Sequence, residues 1–344
     1  MEVTNVNITR DRDLTKKTRV SSIAIIGGSG FVGSSLSKHL SARYNVTVLD
    51  RIPPRNFKNF KLCDIRDQRS LARALRGFDL VINTAIIQVP QINANKRAGY
   101  EVNVLGTQFI CDAVENIESI TGLVHASSWH VFGETSIQGV LNEEFGYHPD
   151  KIEDRAKFYA LCKIAQEAVI RLMGEMSRKS YGIIRLGTVL GDSMPKQTAA
   201  NVFIENSLAG LPMTPFKHTQ HRPMIYVDIR DVCKAFESFA NKVCDDQTGR
   251  ERSAKVVDLF ASPPVTIIEL ARIIRRKLIR LTHGRKSPKI KVIDKGIEPL
   301  YSPKDKKLIK VDVSEARKFL GLKKLLSPSR SIEQILKNRL STVQ

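Results

Sequence analysis

Tyr159 and Lys163 lie four residues apart on a stretch with helical patterning, so a phenol and an ammonium share one face. A cation beside a phenol favours the phenolate. The spacing therefore predicts a lowered pKa for Tyr159 and general acid or base work on a hydroxyl or carbonyl group. The same spacing also occurs on solvated helix faces and alone decides nothing. Ser127 and Ser128 add weight, because they follow the strand expected over Leu123–His125 and would hold a hydroxyl at its carboxyl end.

A second constellation points to a ligand. The apolar run Ile23–Ile26 leads straight into Gly27, Gly28, Ser29, Gly30, Phe31, Val32 and Gly33, after which helical spacing begins. Glycines in that context serve a tight turn, a close backbone approach to a pyrophosphate and close helix–strand packing. The helix start adds N–H groups and a positive dipole end. Asp50 closes the next expected strand, where a carboxylate accepts from both ribose hydroxyls and repels a 2′-phosphate. The combination predicts NAD as cofactor, and the neighbouring Arg51 and Arg55 leave NADP open.

These residues need a scaffold that gathers strand ends. Strands are expected over Ser22–Ile26, Asn45–Leu49, Phe60–Cys63, Leu80–Asn83, Leu123–His125 and Gly182–Arg185. They alternate with helices near Phe31–Arg43, Gln68–Leu75, Arg97–Glu115 and Arg155–Met176. Such alternation predicts βαβ units and an α/β fold on a Rossmann-type, doubly wound parallel sheet. Beyond Arg185 the pattern loosens, with helical stretches near Asn201–Leu208 and Asp228–Asn241 and a strand over Val256–Phe260. Later helices are expected near Val313–Leu320 and Ser331–Leu340. The expected organisation is a polar, flexible extension over residues 1–20 and an NAD-binding domain over 21–185, to which 228–262 return. A smaller, interleaved substrate-binding lobe would use 186–227 and 263–344.

With 344 residues, 42% of them hydrophobic and 26% charged, the chain has the composition of a soluble globular protein. Its apolar runs are strand-sized, and its start lacks the apolar core of a secretory signal. Cys63, Cys111, Cys162, Cys233 and Cys244 show neither disulfide nor metal-ligand spacing, which predicts a reduced, cytoplasmic setting and no metal. The net charge is +20, and residues 251–344 carry 23 Lys and Arg against nine Asp and Glu. There Arg275, Arg276, Lys277 and Arg280 alternate with Ile267, Leu270, Ile273, Ile274 and Leu278 at helical spacing, as on a solvated outer face. No nucleic-acid motif accompanies the charge, so no specific nucleic-acid or membrane partner is expected.

Taken together, the motifs resemble those of the extended short-chain dehydrogenases/reductases. The order is the GxxGxxG turn, Asp50, Asp64-Ile65-Arg66-Asp67, Asn103-Val104-Leu105-Gly106-Thr107, Ser127-Ser128, Tyr159 with Lys163, and Tyr226-Val227-Asp228. More narrowly, the chain is similar to the NAD-dependent epimerase/dehydratase branch that acts on nucleotide sugars, from about Ser22 to about Leu340. The resemblance implies that Asp64 contacts the adenine, with Ile65 and Ala85 also at the cofactor, and that Asn103 orders the site. It further implies that Ser128 and Tyr159 bond the reacting oxygen, that Lys163 tunes Tyr159 and holds the nicotinamide ribose, and that Thr188 and Arg222 meet the substrate. Arg222 would pair with the diphosphate, a bidentate task suited to guanidinium. A homodimer is expected.

Departures from the pattern narrow the reaction. The sugar dehydratases of this branch place an Asp-Glu pair after the catalytic hydroxyl residue, whereas here those positions are Trp129 and His130. Without that pair no acid/base for elimination is evident, and His130 is expected to be packed rather than to transfer protons. Epimerisation needs only cofactor, Tyr159, Lys163 and Ser128, which favours a nucleotide-sugar epimerase. Thr188 in place of an asparagine, Ile86 for an alanine and Phe132 for a tyrosine leave the sugar open. An NAD(P)-dependent dehydrogenase or reductase of another hydroxyl or carbonyl compound is the alternative, followed by a cofactor-binding regulator with a basic contact lobe.

Overall fold

The computed structural model describes residues 20–245 and 253–341, the last three of the first stretch by their backbone alone. The extension expected over residues 1–20 lies outside these except for Val20, which is buried in the core. Cys244 likewise falls outside the described side chains, and the other four cysteines are free and buried.

The apolar runs near the start of the chain become strands β1 (Ser22–Ile26), β2 (Asn45–Asp50), β3 (Phe60–Leu62) and β4 (Leu80–Asn83). β5 (Gly122–Ser128), β6 (Ser180–Leu186) and β7 (Lys255–Leu259) complete a sheet of order β7-β6-β5-β4-β1-β2-β3. All neighbours are parallel. Central strands in such a sheet are buried on both faces, which is why β4 and β5 are buried throughout. Helices α1 (Phe31–Leu40) and α6 (Ile229–Asp245) cover one face through Leu36, Leu40, Val232 and Phe236. Helices α2 (Gln68–Ala74), α3 (Gly106–Asn116) and α4 (Asp154–Met176) cover the other through Leu71, Ile110, Val114 and Ile170. The order reverses between β1 and β4, so a crevice opens beyond their carboxyl ends.

A separate apolar cluster forms where α5 (Ala199–Leu208), α7 (Ile267–Leu281) and α8 (Pro328–Ser341) pack through Ile204, Leu270, Ile274, Leu278, Ile332 and Leu336. A capping box sets the start of α7: Thr266 accepts from the backbone of Glu269, whose carboxylate accepts from the backbone of Thr266.

Two differences from the sequence-based expectations concern the site. The helix expected over Arg97–Glu115 is interrupted by a π-turn at Glu101–Leu105, with Asn103 inside it. β5 is longer than expected, so Ser127 and Ser128 end the strand rather than follow it. Pieces such as Thr188–Leu190, which pairs in parallel with Tyr226–Asp228, escaped notice because three residues hold too little alternation to read.

Candidate active site

A cavity of about 1050 Å³ follows the crevice. Its floor is the turn after β1. Gly27 has φ +76°, and a Cβ there would stand 2.5 Å from the backbone nitrogen of Ala85, so only glycine lets the turn pass the loop after β4. A Cβ on Gly33 would stand 2.3 Å from the Gly27 carbonyl oxygen, which is what holds α1 close to the turn. No side chain caps α1 at Gly30, and the helix start faces the cavity through Gly30, Phe31 and Val32. An uncapped helix start behind a glycine turn is the setting an anionic pyrophosphate requires.

Asp50 ends β2 on the cavity wall, its carboxylate accepting from the backbone N–H of Ser29 at 3.0 Å and of Ile52 at 3.2 Å. Asp64 also lines the wall, gripped by Arg66 through Nε at 3.0 Å and Nη2 at 2.6 Å and approached by Arg51 at 3.3 Å. The hydrogen bonds from Arg66 hold the Asp64 carboxyl below its usual range. Ile65 and Ala85 line the cavity as well. These residues fit a dinucleotide with free ribose hydroxyls. Asp50→Asn, which keeps an acceptor but removes the charge, is expected to weaken NAD binding about tenfold and narrow its preference over NADP. Titration calorimetry with both dinucleotides checks this, and an unchanged ratio would remove Asp50 from the ribose role.

Asn103, assigned to the site by resemblance, does not line the cavity. Its side chain accepts from the N–H of Ile87 at 2.8 Å and donates to the carbonyl of Ile87 at 3.0 Å. It therefore pins the loop after β4 from inside the π-turn. Such turns are frequent at functional sites.

α4 carries Tyr159 and Lys163 past the end of β5, and Ser128 joins them on the cavity wall. The buried Lys163 ammonium donates to the Ala126 carbonyl at 2.7 Å. Burial lowers its pKa to about 7, against the opposing charge of Glu167. Burial raises Tyr159 to about 12, with the Ser128 hydroxyl working the other way. This corrects the expectation of a lowered phenol. In the protein alone desolvation dominates, and the Lys163 ammonium is turned onto the Ala126 carbonyl.

The positions that replace the carboxylate pair are also placed. Trp129 donates through Nε1 to the Thr188 hydroxyl at 3.2 Å. His130 lines the cavity, with Nδ1 3.0 Å from the Ser128 hydroxyl and its ring edge-on to Tyr159 at 5.5 Å between centroids. Its Nε2 faces the buried Glu134 at 3.6 Å, and Arg155 holds that carboxylate. Burial, with help from Arg155 and Arg222, drops the His130 pKa to about 3. As pH falls from about 6.5 towards 3, the unfolded chain takes up a proton that folded His130 refuses, so stability declines over that window. His130→Gln is expected to remove that part of the decline, measurable by urea unfolding at pH 7 and pH 5.

Arg222 reaches the cavity from the other wall. It is paired with Glu153 through Nη2, and its guanidinium lies 5.5 Å over the Tyr301 ring. Its Nε is buried without a hydrogen-bond partner. Burial pushes Glu153 upward, but Arg222 and Arg155 outweigh it and keep the carboxyl below its usual range. Glu153, Arg155 and Tyr301 were not singled out from the sequence. They converge from distant segments, and no local pattern marks them. Among the described residues no group of side chains could hold a metal ion.

A sequence profile of the NAD dependent epimerase/dehydratase family matches residues 23–251. The chain is 28% identical over 212 residues to an N-acetyl-alpha-D-glucosaminyl-diphospho-ditrans,octacis-undecaprenol 4-epimerase of Escherichia coli O157:H7, covering 60% of this chain and 59% of that protein. It therefore spans less than two thirds of that relative. It is 26% identical over 250 residues to a UDP-glucose 4-epimerase of Mycoplasma genitalium, covering 64% and 70%. The crystal structure of a UDP-glucuronic acid 4-epimerase from Bacillus cereus in complex with NAD shares the fold, with a TM-score of 0.69 at 19% identity over 92% of this chain and 99% of that one.

Proposed function

This chain belongs to the NAD dependent epimerase/dehydratase family, and from that premise we propose that it inverts a hydroxyl-bearing carbon of a nucleotide-diphosphate sugar as a 4-epimerase. The observation that carries this is the placement of Ser128, Tyr159 and Lys163 on the same cavity as the glycine turn, with Trp129 and a neutral His130 where elimination would need carboxylates. Glu134, the carboxylate facing His130, is buried and held by Arg155.

NAD, when bound, supplies the hydride acceptor and, in its oxidised ring, the added positive charge that draws the phenol towards phenolate. Tyr159 then takes the hydroxyl proton as the carbon is oxidised and returns it when the keto sugar is reduced from its other face. Ser128 steadies the same oxygen. Lys163, poised by burial at about 7, titrates near working pH and sets the charge beside the phenol. Arg222, on the cavity wall, takes the diphosphate.

A second carrier is favoured by one feature. Phe216, Met224 and Ile267 give the cavity wall an apolar side. That suits a sugar diphosphate on a polyprenol, the type of compound named for the E. coli relative. The test is incubation with NAD and a panel of UDP-, GDP- and dTDP-sugars and a polyprenyl-diphospho-N-acetylglucosamine, followed by separation of the sugars. Inversion without net absorbance change near 340 nm supports an epimerase. Steady NADH formation with no inverted product would replace it with the dehydrogenase alternative.

A further inference from the structure

The excess positive charge reads from sequence as a solvated face, but the structure interleaves it with exposed apolar side chains. Residues 213–217 run beside residues 289–293. Met213 N–H donates to the Lys289 carbonyl, Lys291 N–H to Met213, Ile293 N–H to Pro215 and Lys217 N–H to Ile293, each at 2.9 Å. Leu300 N–H extends the ribbon to the His218 carbonyl at 3.0 Å. From it project Phe216, Val292, Ile297 and Leu300, exposed by 40%, 40%, 48% and 50%. Lys289, Lys291 and Lys295 are also exposed along this ribbon, and the Lys295 ammonium lies 4.3 Å over the Phe216 ring. Arg275 of α7 donates through Nε to the Pro288 carbonyl at the ribbon's root at 3.2 Å, and Arg272 and Arg276 of the same helix are exposed. Of the two acids on the ribbon, Asp294 and Glu298, the first is paired with Lys217 at 2.7 Å.

We propose that this ribbon docks the protein on an anionic lipid bilayer. Large aliphatic side chains clustered on a surface mark contact with something apolar. A nucleic acid would use the cations but offers nothing to Val292, Ile297 or Leu300, since its binding platforms are aromatic. A bilayer interface uses both, taking the apolar groups among the acyl chains while lysines and arginines remain at the phosphates. Phe216 belongs to the ribbon and to the cavity wall, so the docked cavity opens beside the membrane. This goes beyond the proposed function and stands for either carrier of the sugar.

Vesicle flotation of the full-length protein is the test, with phosphatidylcholine alone or mixed with phosphatidylglycerol at physiological salt. Binding to the mixed vesicles and not to the neutral ones is expected. Each cation at such a surface contributes about fivefold, so Lys289→Glu with Lys291→Glu should weaken binding about 25-fold or more. The same change at Lys323 and Lys324, whose neighbours Leu322 and Leu325 pack on the sheet-side core, should leave it within about twofold. Val292→Asp with Ile297→Asp should also abolish flotation, with circular dichroism and a milder Ile297→Ser variant guarding against loss of fold. Three results would overturn the proposal: no flotation of the native protein, aspartate variants that bind as well as the native protein, or a native dimer that those variants split without altering vesicle binding.

Discussion

Tyr159→Phe is expected to lower kcat for sugar inversion by about 10³-fold, within the span typical of removing a general acid–base group. The hydroxyl it deletes is the one that α4 sets on the cavity wall with Ser128; Lys163 on the same helix is turned onto the Ala126 carbonyl, and Glu134 is held by Arg155. His130, the nearest alternative, is neutral with a pKa of about 3 and is already engaged with Ser128. Dinucleotide affinity should change little, because the glycine turn, Asp50 and the start of α1 are untouched. The measurements are steady-state rates for the sugar that the panel identifies and an NAD titration by calorimetry. A variant that retains a tenth or more of the native rate would remove Tyr159 from the chemistry.

What the sequence revealed and what it concealed divide along physical lines. The glycine turn, Asp50 and the Tyr159–Lys163 pair are local, each fixed by a few consecutive residues or one helical turn, and all line the cavity. The parallel sheet was legible because buried strands such as Leu80–Asn83 are continuous apolar runs set between amphipathic helices. Asn103 was placed at the site by resemblance, but its clamp on Ile87 depends on a π-turn that no spacing rule foretells. Protonation states were the least legible. Proximity of a cation suggested an acidic Tyr159, whereas the degree of burial, a property of the whole fold, carried it the other way. The apolar members of the basic ribbon were hidden for a similar reason. Val292 and Ile297 stand among lysines in the sequence, and only the fold shows them 40% and 48% exposed.

Beneath the catalytic residues lies an ionic core whose disruption should cost the most stability. Arg185, on β6, is 1% exposed and binds the fully buried Glu167 through Nε at 3.0 Å and Nη2 at 2.9 Å. Glu167 also accepts from Ser127 at 2.5 Å and from Tyr147 at 2.9 Å. Asp258 approaches Arg185 at 3.6 Å, but burial holds its carboxyl well above the usual range, so it is a poor substitute counter-charge. Glu167→Ala therefore strands a guanidinium in the interior and should destabilise the protein by about 3–5 kcal/mol. Replacing both partners, Glu167→Met with Arg185→Met, removes the stranded charge and should cost less than either single change. Urea unfolding of the three variants measures this. Because Glu167 lies one helical turn beyond Lys163 and raises its pKa, the alanine variant should also lower that pKa below about 7 and shift the pH–rate profile accordingly. A single substitution costing under about 1 kcal/mol would show that water or Asp258 already shares the charge. A profile that stayed fixed while stability fell would separate the ionic core from the tuning of Lys163.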